Sequence, residues 1–341
     1  MRICGTTSTW KSWNWPNRLS GMTAQPVLLD CDPGIDDALA LIYLAALHRA
    51  GEIELVGVTT TAGNVGIDQT TRNASYLLQL CGLDEVPVAA GFPEPSQVEL
   101  VTTPETHGPS GLGYLSVPEE QAASEPSEWT GIWTDAASRA AHLIVTGPLT
   151  NAAYFAAANA ADYASFADVT VMGGAINYPG NTTPTAEWNF WVDPHAARDV
   201  FASATRPITL CPLNVTETML IGPTQLERLR EALAQHPVSD VLPEMMRFYF
   251  EFHEAHGSGY QAQIHDLLTC MVALQNAPFL STSTTVRVVS EPEWLRGTSV
   301  ADLRGHWGQH PNATLVTVVD VDSAHREFLR AAKILALPEN L

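Results

Sequence analysis

The chain has 341 residues, 45% of them apolar, enough to bury one large α/β core or two smaller ones. Its 17 basic residues stand against 37 acidic ones, a formal net charge of −20, which excludes the basic stripe that nucleic-acid phosphates require. No apolar run approaches membrane-spanning length, and five scattered cysteines without a C-x-x-C pair exclude zinc ribbons and dithiol redox motifs.

Residues 1–29 hold no Asp or Glu, three basic residues and three tryptophans, and no continuous apolar stretch. Residues 1–24 are therefore read as an extension outside the fold, with Met22 a candidate start, and residues 25–341 as one domain. Val27-Leu28-Leu29 reads as a short buried strand. It runs into Asp30-Cys31-Asp32-Pro33-Gly34-Ile35-Asp36-Asp37, four carboxylates within eight residues. Pro33-Gly34 marks a chain reversal, and Ala38–Leu47 reads as a helix whose N-terminal dipole favours Asp36 or Asp37. One or two such acids would be a solvated cap. Four after a buried strand call for a hard divalent cation, Ca²⁺ or Mg²⁺, which takes oxygen ligands.

Leu55–Thr60 is the next strand, and Asp68–Leu80 a helix with Asp68 as its expected N-cap. Val86–Val88 and Leu143–Val145 are short strands, the latter closed by Thr146-Gly147-Pro148. Leu149–Ala160 reads as helix, Val169–Met172 as strand, Asp193–Ala202 as helix and Ile208–Leu210 as strand. Ser116–Thr130 is acidic and Pro/Ser-containing, an expected exposed loop. Thr216 to about Asn276 is mainly helical, and Val286–Val289 and Thr314–Val319 make a strand-rich tail. The alternation predicts an open, mostly parallel sheet flanked by helices, a single α/β domain with a helical section in its C-terminal half. Ligands then bind beyond the carboxyl ends of the strands, where Asp32, Asn64, Thr146 and Asn181 fall.

Five stretches occur together: the Asp30–Asp37 run, Ala62-Gly63-Asn64, Thr146-Gly147-Pro148-Leu149-Thr150-Asn151, Asn181 with Glu187-Trp188-Asn189, and His265-Asp266. In that order they resemble the inosine-uridine preferring nucleoside hydrolases, from about residue 25 to the end. The resemblance implies an open α/β fold with Ca²⁺ at its centre. It also implies hydrolysis of the N-glycosidic bond of ribonucleosides, purine or pyrimidine, to ribose and free base, by calcium-bound water that an Asp activates. By the same resemblance Asp32 is general base and metal ligand. Asp37, Asp266 and the Thr146 carbonyl are further ligands, and Asp30 is a supporting group behind them. Asp36, Asn64, Asn181, Glu187 and Asn189 would bind ribose, residue types that suit vicinal hydroxyls. His265 would protonate the departing base, though a His before a helix is also an ordinary cap. His107, in a Gly-rich loop without a Walker lysine, would contact the base.

The run Phe248–His256 offers either a stacking surface for a planar base or a helix packing its aromatic face. His253 and His256 lack the partners of a zinc site, and Tyr260 is a further candidate for the pocket. The family's habit implies a homodimer or homotetramer, and the core-type thiols suit a reducing, cytoplasmic setting. Two other classes share features. A haloacid-dehalogenase-like phosphatase also opens with D-x-D but needs a distal lysine, and the only lysines are Lys11 and Lys333. A non-catalytic nucleoside- or ribose-binding protein would not need three acids converging on one ion.

Overall fold

The computed structural model describes residues 24–118 and 129–338. The expected extension, Ala24 apart, lies outside the described residues, as does most of the expected 116–130 loop. Trp129 and Thr130 already belong to a helix, Trp129–Ser138.

The strands among the described residues are β1 (Gln25–Cys31), β2 (Ile53–Thr60), β3 (Val88–Ala90), β4 (His142–Val145), β5 (Asp168–Met172), β6 (Ile208–Cys211), β7 (Leu220–Ile221), β8 (Ala262–Gln263), β9 (Phe279–Thr284), β10 (Val286–Val288), β11 (Ser299–Ala301) and β12 (Ala313–Val319). Eight of them form one sheet in the order β3-β2-β1-β4-β5-β6-β12-β9, parallel throughout except for the antiparallel edge strand β9. The order reverses between β1 and β4, the kind of switch point at which open parallel sheets open a crevice.

Parallel strands need both faces covered. One face packs against helices Ile35–Arg49, Ile67–Leu80, Val238–Ala255, His265–Ala273 and Val321–Leu335. Trp129–Ser138, Thr150–Ala158 and Pro194–Ser203 cover the other. Helix Ile35–Arg49 is buried all round from Ile35 to Leu47, which is why its sequence is apolar without a polar stripe. The helical section of the C-terminal half lies over it, so the first helix is a second core layer and its first turn is walled in. No helix of the described residues is long and apolar enough to cross a membrane. The described cysteines, Cys31, Cys81, Cys211 and Cys270, are free and buried.

Several elements differ from expectation. The first helix begins three residues early, at Ile35, because Gly34 takes the N-cap. The second begins at Ile67 after Gly66, so Asp68 lies inside its first turn rather than at the cap. Val286–Val288 pairs with Ser299–Ala301 in a two-stranded ribbon outside the main sheet. Edge strand β9 has the sequence FLSTST, whose Ser/Thr run gives no hydrophobic signal because three of its residues face solvent.

Candidate active site

A cavity of about 330 Å³ lies at the carboxyl ends of β1, β2, β4 and β5. Asp32, Asn64 and Thr146 reach it from the ends of β1, β2 and β4, and Glu187, Trp188 and Asn189 from the connection after β5. Two helix N-termini also bring acids to it: Asp36 and Asp266 line it, and Asp37 adjoins Asp36 outside the lining. Asp36 and Asp37 occupy the first turn of Ile35–Arg49, and Asp266 the first turn of His265–Ala273. Opposed dipole ends are what allow three carboxylates to sit together. One oxygen each of Asp36, Asp37 and Asp266 lies within 4.8 Å of the others, and all three residues are buried.

Each acid has a local brace. Asp37 Oδ2 accepts from the Gly34 amide at 3.0 Å, and its Oδ1 from the Thr146 hydroxyl at 2.8 Å. Asp32 Oδ2 accepts from the Asn64 amide at 2.7 Å, and the Asn64 side chain donates to the Asp32 carbonyl at 3.0 Å. Gly63 and Gly147 make room for this carboxylate: a Cβ on either would stand 2.1 or 2.8 Å from an Asp32 oxygen. Asp30 turns away from the trio. Its Oδ1 accepts from Thr59 at 2.6 Å and Asn151 at 2.8 Å, beneath the site. Glu187 caps the short helix Trp188–Val192, accepting from the amides of Asn189 and Phe190, and also takes the Gly174 amide at 2.9 Å. Asn189 Nδ2 donates to the Thr146 carbonyl at 2.7 Å.

Burial pushes these acids up, and their mutual repulsion adds to it. Asp32 and Asp266 stand well above the ordinary carboxylate range, Asp266 through burial and then the charges of Asp36, Asp37 and Asp32. Burial lifts Asp36 to about 6, against a hydrogen bond shared with Asp266, and lifts Asp37 and Glu187 to about 7. Among the described residues no lysine or arginine lines the cavity. Asp32 Oδ1 is buried without a hydrogen-bond partner among the described residues. An all-oxygen donor set with an unsatisfied carboxylate oxygen fits a hard divalent cation, which would hold these groups ionised at neutral pH.

The histidines behave differently. His107 Nδ1 accepts from the Ile35 amide at 3.1 Å, so its neutral ring carries hydrogen on Nε2. Burial, and secondarily the neighbouring histidines, pull His107 and His265 down to about 3, so both rings are neutral. His265 Nδ1 pairs with the Thr216 hydroxyl at 2.8 Å.

The sequence-derived residues thus gather round one cavity, in an arrangement that differs in detail from expectation. The tight trio is Asp36, Asp37 and Asp266, with Asp32 tied to its edge through Asn64. The Thr146 carbonyl is engaged by Asn189, and its hydroxyl by Asp37. Asn181 stands at the exposed rim, accepting from the Trp188 amide at 3.0 Å. Tyr260 does not line the cavity: it is 41% exposed and packs on Phe250. From the aromatic run, Tyr249, Phe252, His253 and His256 line the cavity, so that face both packs and forms wall. Thr216, Gln263 and Glu105 were not singled out in the sequence. Isolated Thr, Gln and Glu carry no pattern, whereas the Thr150-Asn151 pair closing the Thr146 motif did mark Asn151.

A profile of the inosine-uridine preferring nucleoside hydrolases matches residues 27–326. The chain belongs to this family. It is 35% identical over 303 residues to the pyrimidine-specific ribonucleoside hydrolase RihA of Klebsiella pneumoniae, covering 87% of this chain and 94% of the relative. The RihA of Salmonella paratyphi A gives 35% over 305 residues, with 88% and 94% covered. Among solved structures, a purine-preferring ribonucleoside hydrolase from Gardnerella vaginalis superposes with a TM-score of 0.81 at 27% identity, covering 92% of this chain and 99% of that one. A plant nucleoside hydrolase shares the fold at the same TM-score and 24% identity, with 92% and 99% covered. This nucleoside hydrolase is therefore an enzyme that cleaves the N-glycosidic bond of ribonucleosides.

Proposed function

We propose that the enzyme converts ribonucleosides to ribose and free base on a calcium site, with Asp32 as general base. The buried, unpartnered Asp32 Oδ1 beside three converging carboxylates is the observation that carries this reading. Asp32, Asp37, Asp266 and the Thr146 carbonyl would hold the ion, with Asp36 at its border. A cation held there would neutralise the cluster and would supply Lewis-acid chemistry toward water.

Asp32 accepts the proton that water loses as its oxygen bonds to the anomeric carbon. The C–N bond breaks and its electron pair leaves on the base nitrogen, which takes a proton from solvent to give the free base while Asp32 returns to solvent the one it accepted. Positive charge develops at the anomeric carbon, and the surrounding carboxylates stabilise it. Asp36, Asn64, Asn181, Glu187 and Asn189 hold the ribose hydroxyls, and Asp30 supports the turn from below. His265 presents its neutral ring to the departing base, and the Nε2–H of His107 contacts the base. With no lysine or arginine among the described residues of the cavity wall, a neutral nucleoside is the matching ligand.

Relatives named pyrimidine-specific are the more similar in sequence, which supports uridine and cytidine over inosine. The same reading takes residues 25–341 as the catalytic unit with 1–24 outside it, and the enzyme as a cytoplasmic homodimer or homotetramer. The test is a panel of purine and pyrimidine nucleosides assayed for released ribose, with calcium and after chelation. Turnover that chelation removes and calcium restores is expected. Turnover unaffected by chelation would end the calcium assignment, and no ribose from any nucleoside would end the substrate assignment.

A further inference from the structure

We propose that Arg296-Gly297-Thr298-Ser299 is a positioning strap that holds Glu187, Trp188 and Asn189 against the cavity and so sets ribose affinity. This rests on the reading of the cavity as a ribonucleoside site. The strap lies outside the cavity and more than a hundred residues along the chain from what it holds, yet Arg296, Gly297 and Thr298 grip residues 185–192 and Ser299 the turn that binds Glu187.

Arg296 is 6% exposed. Its Nε donates to the Trp191 carbonyl at 2.7 Å and its terminal nitrogen to the Val192 carbonyl at 3.1 Å. These are carbonyls at the C-terminal end of helix Trp188–Val192, where a cation is favoured. The guanidinium also sits 4.2 Å from the centre of the Trp191 ring. Trp191 in turn stacks on Trp188, with ring centres 5.7 Å apart and planes 26° from parallel, and Trp188 lines the cavity. Among the described residues the acid paired with Arg296 is Glu293, 77% exposed and 3.5 Å away, so the helix carbonyls and not an ion pair fix the guanidinium.

Gly297 has φ +78°, and a Cβ there would stand 2.6 Å from the Trp191 Cα. The strap backbone therefore lies directly on the helix backbone. Thr298 forms a bridge with Ala186, and its hydroxyl meets that of Thr185 at 2.6 Å. The Ser299 hydroxyl accepts from the Ala175 amide at 2.9 Å, in the turn whose Gly174 amide binds Glu187. The strap thus fixes both ends of the 186–192 segment. A planar fork that reaches two carbonyls while stacking on a ring is something lysine cannot reproduce.

The experiment measures KM and kcat with uridine and inosine, and the Kd of free ribose by tryptophan fluorescence, for wild type, Arg296→Met and Arg296→Lys. Arg296→Met is expected to raise KM and the ribose Kd about tenfold while kcat stays within about threefold, the pattern of lost uniform binding. Arg296→Lys should recover part of the loss. Ser299→Ala, which removes one hydroxyl, must move KM and Kd in the same direction if Arg296→Met does not fold. A folded Arg296→Met with unchanged KM and ribose Kd, or with a lowered Tm as its only change, overturns the proposal. Wild-type protein that binds ribose but releases none from any nucleoside would remove the substrate reading and leave the strap standing.

Discussion

Removing the cation should destabilise the enzyme by an amount that grows with pH. The carboxyl of Asp37 is buried and pushed up to about 7 from an ordinary 3.8. The folded, cation-free chain therefore binds a proton that the unfolded chain has released between those two values, and its stability falls as pH rises through that window. A bound divalent cation returns Asp37 to the ionised form and cancels the loss. For this one group, binding gains about 2 kcal/mol between pH 5 and pH 7, at 1.36 kcal/mol per pKa unit. At a calcium concentration one hundred times the Kd, linkage gives about 2.7 kcal/mol at pH 7. An unfolding entropy of about 2.1 cal/mol/K per residue makes that a Tm rise of about 4 °C at pH 7, shrinking to about 1 °C at pH 5. The buried histidines, held down to about 3, lose stability on the acid side, but equally in both solutions. Differential scanning fluorimetry in calcium and in chelator across this range is the assay. A calcium-induced shift that is the same at pH 5 and pH 7 would refute the argument that these buried acids must ionise to hold the ion.

Asp32→Asn keeps the Asn64 contact geometry but removes a proton acceptor, and should lower kcat about a thousandfold. It also replaces a buried carboxyl, pushed well above the ordinary carboxylate range, by a group that never ionises, so its cation-free Tm should not fall below that of wild type. His265→Ala, which removes the hydrogen bond its neutral ring offers the departing base, should slow uridine and inosine about a hundredfold in kcat but spare a nitrophenyl riboside, whose leaving group is already a stable anion. Equal losses on both substrates would remove His265 from leaving-group duty. Far from the cavity, Arg330 binds Glu52 and the buried Glu327, which also accepts from Tyr43 at 3.0 Å. Because Arg330 is 36% exposed, Arg330→Met should cost about 2 kcal/mol, a Tm drop of about 3 °C with kcat and KM unchanged.

Much of the site was legible because its parts are local. A buried strand, a Pro-Gly reversal and two acids in a helix's first turn form one continuous signal, and Asp30–Asp37 carries all of it. Asn64, Thr146 and Asn189 were legible as polar residues just past strand ends or in ordered motifs. The strap was not. Arg296 acts on main-chain carbonyls, which every residue possesses, so its partners leave no mark in the sequence. Thr216 bonds His265 from a separate helix turn, and nothing in its own neighbourhood signals it. Tyr260 misled because an aromatic near a pocket-forming helix is equally at home packing on Phe250.

The order of residues alone determined the parallel α/β architecture and the acid-rich turn, since strand and helix periods and short motifs are properties of neighbouring residues, and the class of reaction came with the family that the ordered motifs resemble. Which acids stand within reach of one another was decided only by folding. Asp36, rather than Asp32, completes the close trio with Asp37 and Asp266, because two helix N-termini are brought face to face over the sheet's switch point. That juxtaposition spans some 230 residues of chain, and no local rule encodes a distance between groups so far apart.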